Sequence, residues 1–276
     1  MLRRGKSEFQ IKSDAEIAKM REAGLVVAET LEKLRAAVEP GITTADLDAI
    51  AERHIRDAGA VPSFKGYHGF PATICASVNE EIVHGIPRPD KELREGDLVS
   101  IDCGAILDGW HGDSAVTVGV GEIDDEARAL LSVCEEAMWR GIAAIRQDNR
   151  LGDIGHAVDG YICSRGTYGN VREYGGHGIG TEMHQDPHVP NFGKPGKGPK
   201  LVTGLCLAIE PMVNLGGDET LLLADDWTVI TADRSRSAHF EHSVALTADG
   251  PYVLTAFDGG KDRLARFSAG ATAGGS

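Results

Sequence analysis

The first sixty residues carry apolar side chains at helical spacing. Ser13 and Glu16 form a capping-box pattern, which marks the start of a helix. Pro40-Gly41 ends that segment, and Thr43 or Thr44 opens a second helix. The apolar positions are Ile17, Met20, Val27, Leu31 and Leu34 in the first helix and Leu47, Ile50 and Ile55 in the second. The pattern predicts two adjacent helices at the start of the fold.

The middle of the chain repeats this order of elements. A helix begins at Asp124 or Asp125 and runs to about Ile145, and a shorter one covers roughly residues 151–163. We predict β-strands at residues 72–78, 98–107, 113–120, 206–214, 227–231 and 239–247. Residues 46–55 also align with residues 153–162, as duplication would require, although unrelated amphipathic helices often look this similar.

Both ends of the chain differ from the part between them. Residues 1–12 form a short basic arm without the apolar stretch of a signal peptide. Residues 257–276 end in AGATAGGS and are predicted to be a disordered tail. Residues 13–256 are predicted to form a single domain. Within it, the run GKPGKGPK at residues 193–200 is an exposed loop, either a solvated connection or a basic interaction loop.

The overall charge limits the classes of partner. The net charge of −14 and the pI of about 5.1 argue against binding nucleic acid by bulk electrostatics. Five cysteines occur without a C-x-x-C pair, so a disulfide framework or a zinc knuckle is not expected. No stretch is long and apolar enough to span a membrane. We expect a soluble, cytoplasmic protein that works as a monomer.

One predicted hairpin carries two carboxylates. Asp102 interrupts an apolar run, and a carboxylate in a buried strand is costly without a compensating charge. If Asp108-Gly109 is a two-residue turn, Gly104 faces Asp113, and Asp102 and Asp113 become diagonal neighbours roughly 7–8 Å apart at Cα. The pair could share a cation. Alternatively, Asp113 is a surface turn residue and Asp102 pairs with a buried arginine.

Three further residues have similar settings. Glu210 and Glu241 each lie in a strand-like, mostly apolar stretch, and His177 lies among glycines in YGGHGIG. If these residues converge with Asp102 and Asp113, four carboxylates share one cavity and need cations to stay ionised at neutral pH. Two divalent ions would offset their charge, and a set of oxygen donors with one imidazole suits Mn, Fe, Co or Zn.

The chain resembles type I methionine aminopeptidases of the bacterial kind over about residues 13–255. The resemblance rests on the segments GYHGFPATICASVNEEIVHGIP, LVSIDCGAILDGWHGDSA, EYGGHGIGTEMHQDP, AIEPMV and FEHSVALT, in this order and spacing. It implies the pita-bread fold, an α/β (α+β) class with two pseudo-symmetric halves and helices packed on a curved antiparallel sheet. It also implies a cytoplasmic hydrolase that removes the initiator methionine from nascent proteins when the second residue is small.

The resemblance also implies a role for each candidate residue. Asp102 would bind one metal ion, Asp113 and Glu241 would bridge two, and His177 and Glu210 would complete the ligands of the second ion. The two ions would activate a bridging water for amide hydrolysis. Glu210, His84 and His184 would be catalytic. His84 would contact the departing nitrogen and His184 the substrate carbonyl. His68, His111, His188, His239 and His242 neighbour these motifs and are candidates for side chains that hydrogen-bond to the metal ligands.

A methionine pocket and a second cation site complete the expectation. The pocket would be formed by Phe64, Tyr67, Phe70, Cys75, His84, Met183, His184 and Trp227, with Phe70 where the family usually has tyrosine. A monovalent cation (K or Na) would lie near Asn79, Glu81 and Ser237. Expected partners are nascent N-termini of the Met-Ala, Met-Ser and Met-Gly type, and the ribosome surface, with no direct binding to nucleic acid or membranes.

Two other functions fit parts of this pattern. Prolidases and aminopeptidases P share the fold, but they usually carry an extra N-terminal domain for which 276 residues leave no room. Non-catalytic relatives that bind RNA, peptides or histones lose metal ligands, whereas all five candidates are present here. The peptidase is therefore the favoured hypothesis.

Overall fold

The structure, a computed structural model, describes residues 9–268. Its helices are α1 (Asp14–Ala37), α2 (Thr44–Asp57), α3 (Asp125–Ala143), α4 (Leu151–Arg165), α5 (Lys261–Ser268) and a 3-10 turn at Tyr67–Gly69. The strands of the first half are β1 (Val61–Pro62), β2 (Ile74–Val78), β3 (Glu81–Val83), β4 (Leu98–Leu107) and β5 (Trp110–Gly119). The later strands are β6 (Gly169–Asn170), β7 (Gly176–Gly178), β8 (Gln185–Val189), β9 (Cys206–Ile209), β10 (Met212–Asn214), β11 (Thr220–Leu222), β12 (Val229–Thr231), β13 (Ser237–His239), β14 (His242–Thr247) and β15 (Gly250–Val253). None of the helices in residues 9–268 is long and apolar enough to cross a membrane.

The helices begin where the sequence predicts. The Ser13 side chain accepts a hydrogen bond from the Glu16 amide, and the Glu16 carboxylate accepts one from the Ser13 amide. Thr43 and Asp46 make the same reciprocal cap at the start of α2. Two of the four amides at each helix start that lack intrahelical partners are thereby satisfied.

Helices and sheets form two similar halves around one core. In the first half α1 packs on β4 and β5, which belong to a sheet ordered β1-β4-β2 with β5 beside β4. In the second half α3 and α4 pack together over a sheet ordered β15-β14-β9-β7-β8. Two smaller sheets, β13-β10-β6 and β11-β12-β3, join them, and every strand pair in the described residues is antiparallel. The predicted class, helices on an antiparallel sheet with two similar halves, is confirmed.

Two predicted strands are each interrupted by two residues. Residues 206–214 form β9 and β10, which are separated by Glu210-Pro211, and residues 239–247 are interrupted at Phe240-Glu241. Proline lacks the amide hydrogen that a central strand requires, which accounts for the first break. Both breaks leave a candidate metal ligand between two strands. The apolar runs on either side hide the breaks in the sequence.

The prediction of a disordered tail is wrong for residues 257–268. Helix α5 packs Phe267 against the core cluster, and Arg263 lies 3.3 Å from Glu135 and over the Trp139 ring. The apolar spacing within residues 261–268 therefore outweighs the polar, glycine-rich composition of the end of the chain. The rest of the predicted tail, residues 269–276, lies outside the described residues.

The predicted basic arm is folded against the molecule where it is described. Lys12 is only 4% exposed, and its ammonium group donates to the Gln185 side chain. Gln10 donates to the Thr181 hydroxyl at the same edge. Residues 1–8 lie outside the described residues. The loop at residues 193–200 is a connection that covers the start of α4, where the Gly152 amide donates to the Lys197 carbonyl.

Candidate metal centre and active site

The carboxylate hairpin has the predicted register. Leu107 pairs with Trp110 and Gly104 with Asp113, so the two-residue turn is Asp108-Gly109. Both turn residues have positive φ, 50° and 81°, as the tight turn between twisted strands requires. Asp102 pairs with Ala115, which makes it the diagonal neighbour of Asp113. The alternative, a surface position for Asp113, is excluded because Asp113 is only 4% exposed.

The second half of the molecule brings three more ligand candidates to the hairpin. Glu210 follows β9, Glu241 precedes β14, and His177 is the middle residue of β7. A Cβ atom on Gly176 would lie 2.1 Å from the Ala208 carbonyl oxygen, and one on Gly178 would lie 2.3 Å from that of Asp186. The glycines around His177 therefore let neighbouring strands approach, and this close packing brings the imidazole to the carboxylates.

The five side chains surround one small volume. Nε2 of His177 lies 3.5 Å from a carboxylate oxygen of Glu210 and 4.0 Å from one of Asp113. Ligand atoms of Asp113, His177 and Glu241 all lie within 4.8 Å of one another. The other imidazole nitrogen of His177 lies 3.0 Å from the Gly178 carbonyl oxygen. A hydrogen bond to that carbonyl places the proton on Nδ1 and leaves the Nε2 lone pair facing the carboxylates.

The electrostatics of this cluster disfavour four bare carboxylates. Burial raises the pKa of Asp102 to about 7 and that of Glu210 to about 8. Burial and the neighbouring acids raise the pKa of Asp113 and of Glu241 well above their usual range. Burial also lowers the pKa of His177 to about 3, so its imidazole is neutral. His177 therefore brings no positive charge to offset these acids.

The donor set fits divalent metal ions. One oxygen each of Asp102, Asp113 and Glu241 is buried and has no hydrogen-bond partner within residues 9–268. Buried carboxylate oxygens are normally paired, so three unpaired ones around one volume suit a bound cation as their shared partner. Carboxylates with a single neutral imidazole match the preferences of borderline and hard divalent ions.

A cavity of about 130 Å³ opens directly onto this cluster. Its walls contain the five ligand candidates and every residue of the predicted methionine pocket. The pocket residues in the wall are Phe64, Tyr67, Phe70, Cys75, His84, Met183, His184 and Trp227. Six of them belong to one apolar cluster: Phe64, Phe70, Cys75 and Met183, with the partly buried Tyr67 and Trp227 packed against them. The cavity is therefore apolar at one end and carboxylate-lined at the other.

Two histidines flank the opening between the cavity and a wider groove of about 680 Å³. His84 has φ of 59°, an uncommon conformation for a residue with a side chain, and burial lowers its pKa to about 4. The ring of His184 lies 4.3 Å from the ring of His177, and its Nδ1 lies 2.9 Å from the Tyr67 hydroxyl. Both histidines line the cavity and the groove, so they face the junction where a substrate would cross.

The remaining histidines separate into distinct environments. His239 is closest to the cluster, with Nε2 3.6 Å from Glu210, and it is one of the residues that could hold an ion. His242 contacts Ser114 and Thr255, and His111 contacts Ser63. No local pattern ranks His239 above the other histidines, because its position depends on the break between β13 and β14.

The three residues proposed for a monovalent cation are neighbours in the structure. The Asn79 carbonyl accepts from the Ser237 amide, and Asn79 has φ of 56°. The two carboxylate oxygens of Glu81 are taken by the Val78 amide and the Lys91 ammonium group. These contacts occupy the Glu81 carboxylate, so main-chain oxygens are the donors that would be left for a cation.

Comparisons with known proteins agree with this site. The model of metallopeptidase family M24 matches residues 18–248. A methionine aminopeptidase from Clostridium acetobutylicum is 54% identical over 245 residues, which is 89% of this chain and 98% of the relative. Methionine aminopeptidase 1 from Mycobacterium tuberculosis is 53% identical over 257 residues, 91% of this chain and 97% of the relative.

The fold leads to the same class. The crystal structure of a methionine aminopeptidase from Rickettsia prowazekii superposes with a TM-score of 0.88 at 40% identity, and the match covers 90% of this chain and all of that one. The fold and the carboxylate-lined cavity thus define a metallopeptidase. Within metallopeptidase family M24, the chain belongs to the bacterial type I methionine aminopeptidases, which have the pita-bread fold.

Proposed function

We propose that the protein hydrolyses the first peptide bond of polypeptides that begin with methionine and a small second residue, with two divalent metal ions. The observation that carries this proposal is the cavity itself, since one end is an apolar pocket and the other holds Asp102, Asp113, His177, Glu210 and Glu241. A methionine side chain in the pocket would bring its own amide bond to the carboxylates. The relatives' names support the same substrate class.

The five candidates divide between two ions. Asp102 would hold one ion, His177 and Glu210 the other, and Asp113 and Glu241, which lie at the meeting of the two halves, would bind both. When bound, the two ions supply the Lewis acidity that activates water and polarises the scissile carbonyl. Mn, Fe, Co and Zn all accept this donor set, and the choice among them depends on supply as well as on ligands.

Three side chains would move or hold protons around the scissile bond. Glu210 would accept a proton from water and pass it to the departing amine. His84 would contact that departing nitrogen. His184, at the groove side of the cavity, would donate a hydrogen bond to the carbonyl oxygen as negative charge develops on it. The positions of His84 and His184 at the junction of cavity and groove support both roles.

The shape of the pocket and its apolar, aromatic surface favour a methionine side chain. Phe70 meets Trp227 edge to face with ring centroids 5.0 Å apart, and the Cys75 side chain is buried beside them. A flexible thioether packs well against aromatic edges and a thiol. The preference for a small second residue would come from crowding beside the metal ions. The monovalent cation near Asn79, Glu81 and Ser237, the monomeric state and work near the ribosome surface stay predictions.

A metal-removal experiment tests this function. Purified protein is stripped of metal, the loss is verified by elemental analysis, and release of methionine from Met-Ala-Ser is followed before and after addition of Mn, Co or Fe. We expect activity to disappear on stripping and to return with metal. Met-Leu-Ser and Leu-Ala-Ser serve as controls and should be cleaved poorly. Full activity of the verified metal-free protein would overturn the proposal.

A further inference from the structure

The two halves of the site meet along a pair of antiparallel segments. Residues 113–117 of β5 run beside residues 239–243, with Ala115 opposite Glu241 at the centre. These two residues exchange backbone hydrogen bonds, with N to O distances of 2.9 and 3.3 Å. This seam carries two of the metal-ligand candidates, Asp113 and Glu241. It also carries His239, which lies beside them. The separation of the segments therefore sets the separation of these side chains.

On one side of the centre, a serine hydroxyl takes the place of direct backbone pairing. The Asp113 amide donates to Oγ of Ser243 at 3.1 Å, and the Ser243 hydroxyl donates to the Asp113 carbonyl at 2.8 Å. Both backbone groups of Asp113 are thus paired with one side chain of the opposite segment. Ser243 is fully buried.

On the other side of the centre, the hydroxyl comes from the other segment: a threonine of β5 bridges to the backbone of residue 239. The His239 amide donates to Oγ1 of Thr117 at 2.8 Å, and the Thr117 hydroxyl donates to the His239 carbonyl at 2.8 Å. Because the single proton of Thr117 is used there, the Ser100 hydroxyl, 2.8 Å away, must be the donor in their contact. Thr117 and Ser243 each follow the central residue of their own segment by two positions. The two bridges are therefore related by a pseudo-twofold axis through the seam.

We propose that Ser243 and Thr117 are positioning residues that hold the two halves of the metal site at the correct separation. Each hydroxyl links the two segments at a position where the described residues show no backbone-to-backbone hydrogen bond between them. Each also fixes a residue whose side chain faces the cluster, Asp113 or His239. Removing either hydroxyl leaves a buried amide and a buried carbonyl without partners. The segments then shift or admit water, and the ligands lose their preset spacing. This inference rests on the proposed two-metal function.

The test compares hydroxyl-free with hydroxyl-bearing variants in Mn(II) binding, measured by titration calorimetry on metal-free protein. Ser243→Ala and Thr117→Val should bind Mn(II) about 10-fold or more weakly, the range found when groups that orient metal ligands are lost. Ser243→Thr and Thr117→Ser keep the hydroxyl and should stay within about 3-fold of the wild type. Thr30→Val is the matched control, because Thr30 is a buried hydroxyl within α1 that donates to the Val26 carbonyl.

The outcomes separate this inference from the function on which it rests. If the wild type binds no Mn(II), the proposed function fails and the inference fails with it. If the wild type binds two ions and Thr117→Val and Ser243→Ala bind them as tightly as Thr30→Val does, the positioning role is overturned. If Ser243→Ala does not fold, the comparison of Thr117→Val with Thr117→Ser decides alone. Thermal melting of each variant reports whether it is folded.

Discussion

The phenolic oxygen of Tyr67 lies 2.9 Å from Nδ1 of His184. Partial desolvation beside the cavity lowers the pKa of His184, so its ring is neutral at pH 7.5 and carries one proton. When the Tyr67 hydroxyl donates to Nδ1, that proton is on Nε2, which can donate to a substrate carbonyl oxygen. Tyr67 was expected from the sequence only as a wall of the pocket. From this contact we predict a second role for Tyr67, in selecting the tautomer of His184.

Tyr67→Phe should lower kcat by about 10-fold, because Nε2 of His184 would no longer be held as the donor. His184→Ala should lose on the order of 10²–10³ in kcat, as when a donor to a developing oxyanion is removed. Steady-state kinetics on Met-Ala-Ser measure both. The double variant should resemble His184→Ala alone, since Tyr67 acts through that ring. Fully multiplicative losses would show that the two side chains work independently.

Glu210→Gln should keep the fold and reduce kcat by more than about 10²-fold, because the neutral amide cannot accept the proton of water. The substitution changes the shape of the side chain very little. Glu182→Gln is the matched control, since Glu182 is an exposed acid on the wall of the neighbouring groove. A kcat for Glu210→Gln within about 3-fold of the wild type would refute the assigned role.

The effect of metal on stability should depend on pH. Burial raises the pKa of Asp102 to about 7 and of Glu210 to about 8 in the folded chain, above the unfolded values of about 4. The folded state therefore binds more protons than the unfolded state between these values. The contribution of these acids to stability is complete below about pH 4 and is lost as the pH rises through 7 and 8.

Metal-free protein should accordingly lose stability from this cause between pH 5.5 and pH 8, and Mn(II) should restore it. We expect the increase in Tm on adding Mn(II) to be larger at pH 8 than at pH 5.5, where protons compete for the same oxygens. Differential scanning calorimetry with and without Mn(II) at both pH values provides the comparison. An equal or smaller increase at pH 8 would contradict the assignment of these carboxylates as ligands.

Phe70→Ala should raise KM for Met-Ala-Ser by about 10-fold, because a buried aromatic wall of the cavity is lost and less apolar surface is covered on binding. kcat should change less, since Phe70 is not among the groups that face the scissile bond. Phe70→Tyr, which installs the residue usual in the family, serves as the control and should keep KM within about 3-fold. A large loss in kcat with unchanged KM would place Phe70 in the chemistry instead.

The sequence predicted the hairpin well because its signals are local. Asp108-Gly109 specifies a two-residue turn, and the turn sets the register that brings Asp102 and Asp113 together. The capping boxes of α1 and α2 are equally local. Convergence of His177, Glu210 and Glu241 on the hairpin could not be worked out from spacing, and it entered only through the resemblance to the family.

Features that depend on contacts between distant segments were missed. The hydroxyl bridges of Ser243 and Thr117 join residues more than a hundred positions apart, so no local sequence pattern predicts them. The breaks at Glu210 and Glu241 lie within runs that look like continuous strands. Helix α5 was missed because the polar, glycine-rich composition of the chain end predicts disorder. The helix nevertheless packs Phe267 on the core.

Anomalous X-ray diffraction from crystals grown with Mn(II) tests the central claim most directly. We expect two manganese peaks in the cavity, both in contact with Asp113 and Glu241, one also bound by Asp102 and the other by His177 and Glu210. Crystals of Glu210→Gln should show reduced occupancy of the second peak. No anomalous peak among these five side chains, or a single ion held elsewhere in the groove, would contradict the two-metal site and the function built on it.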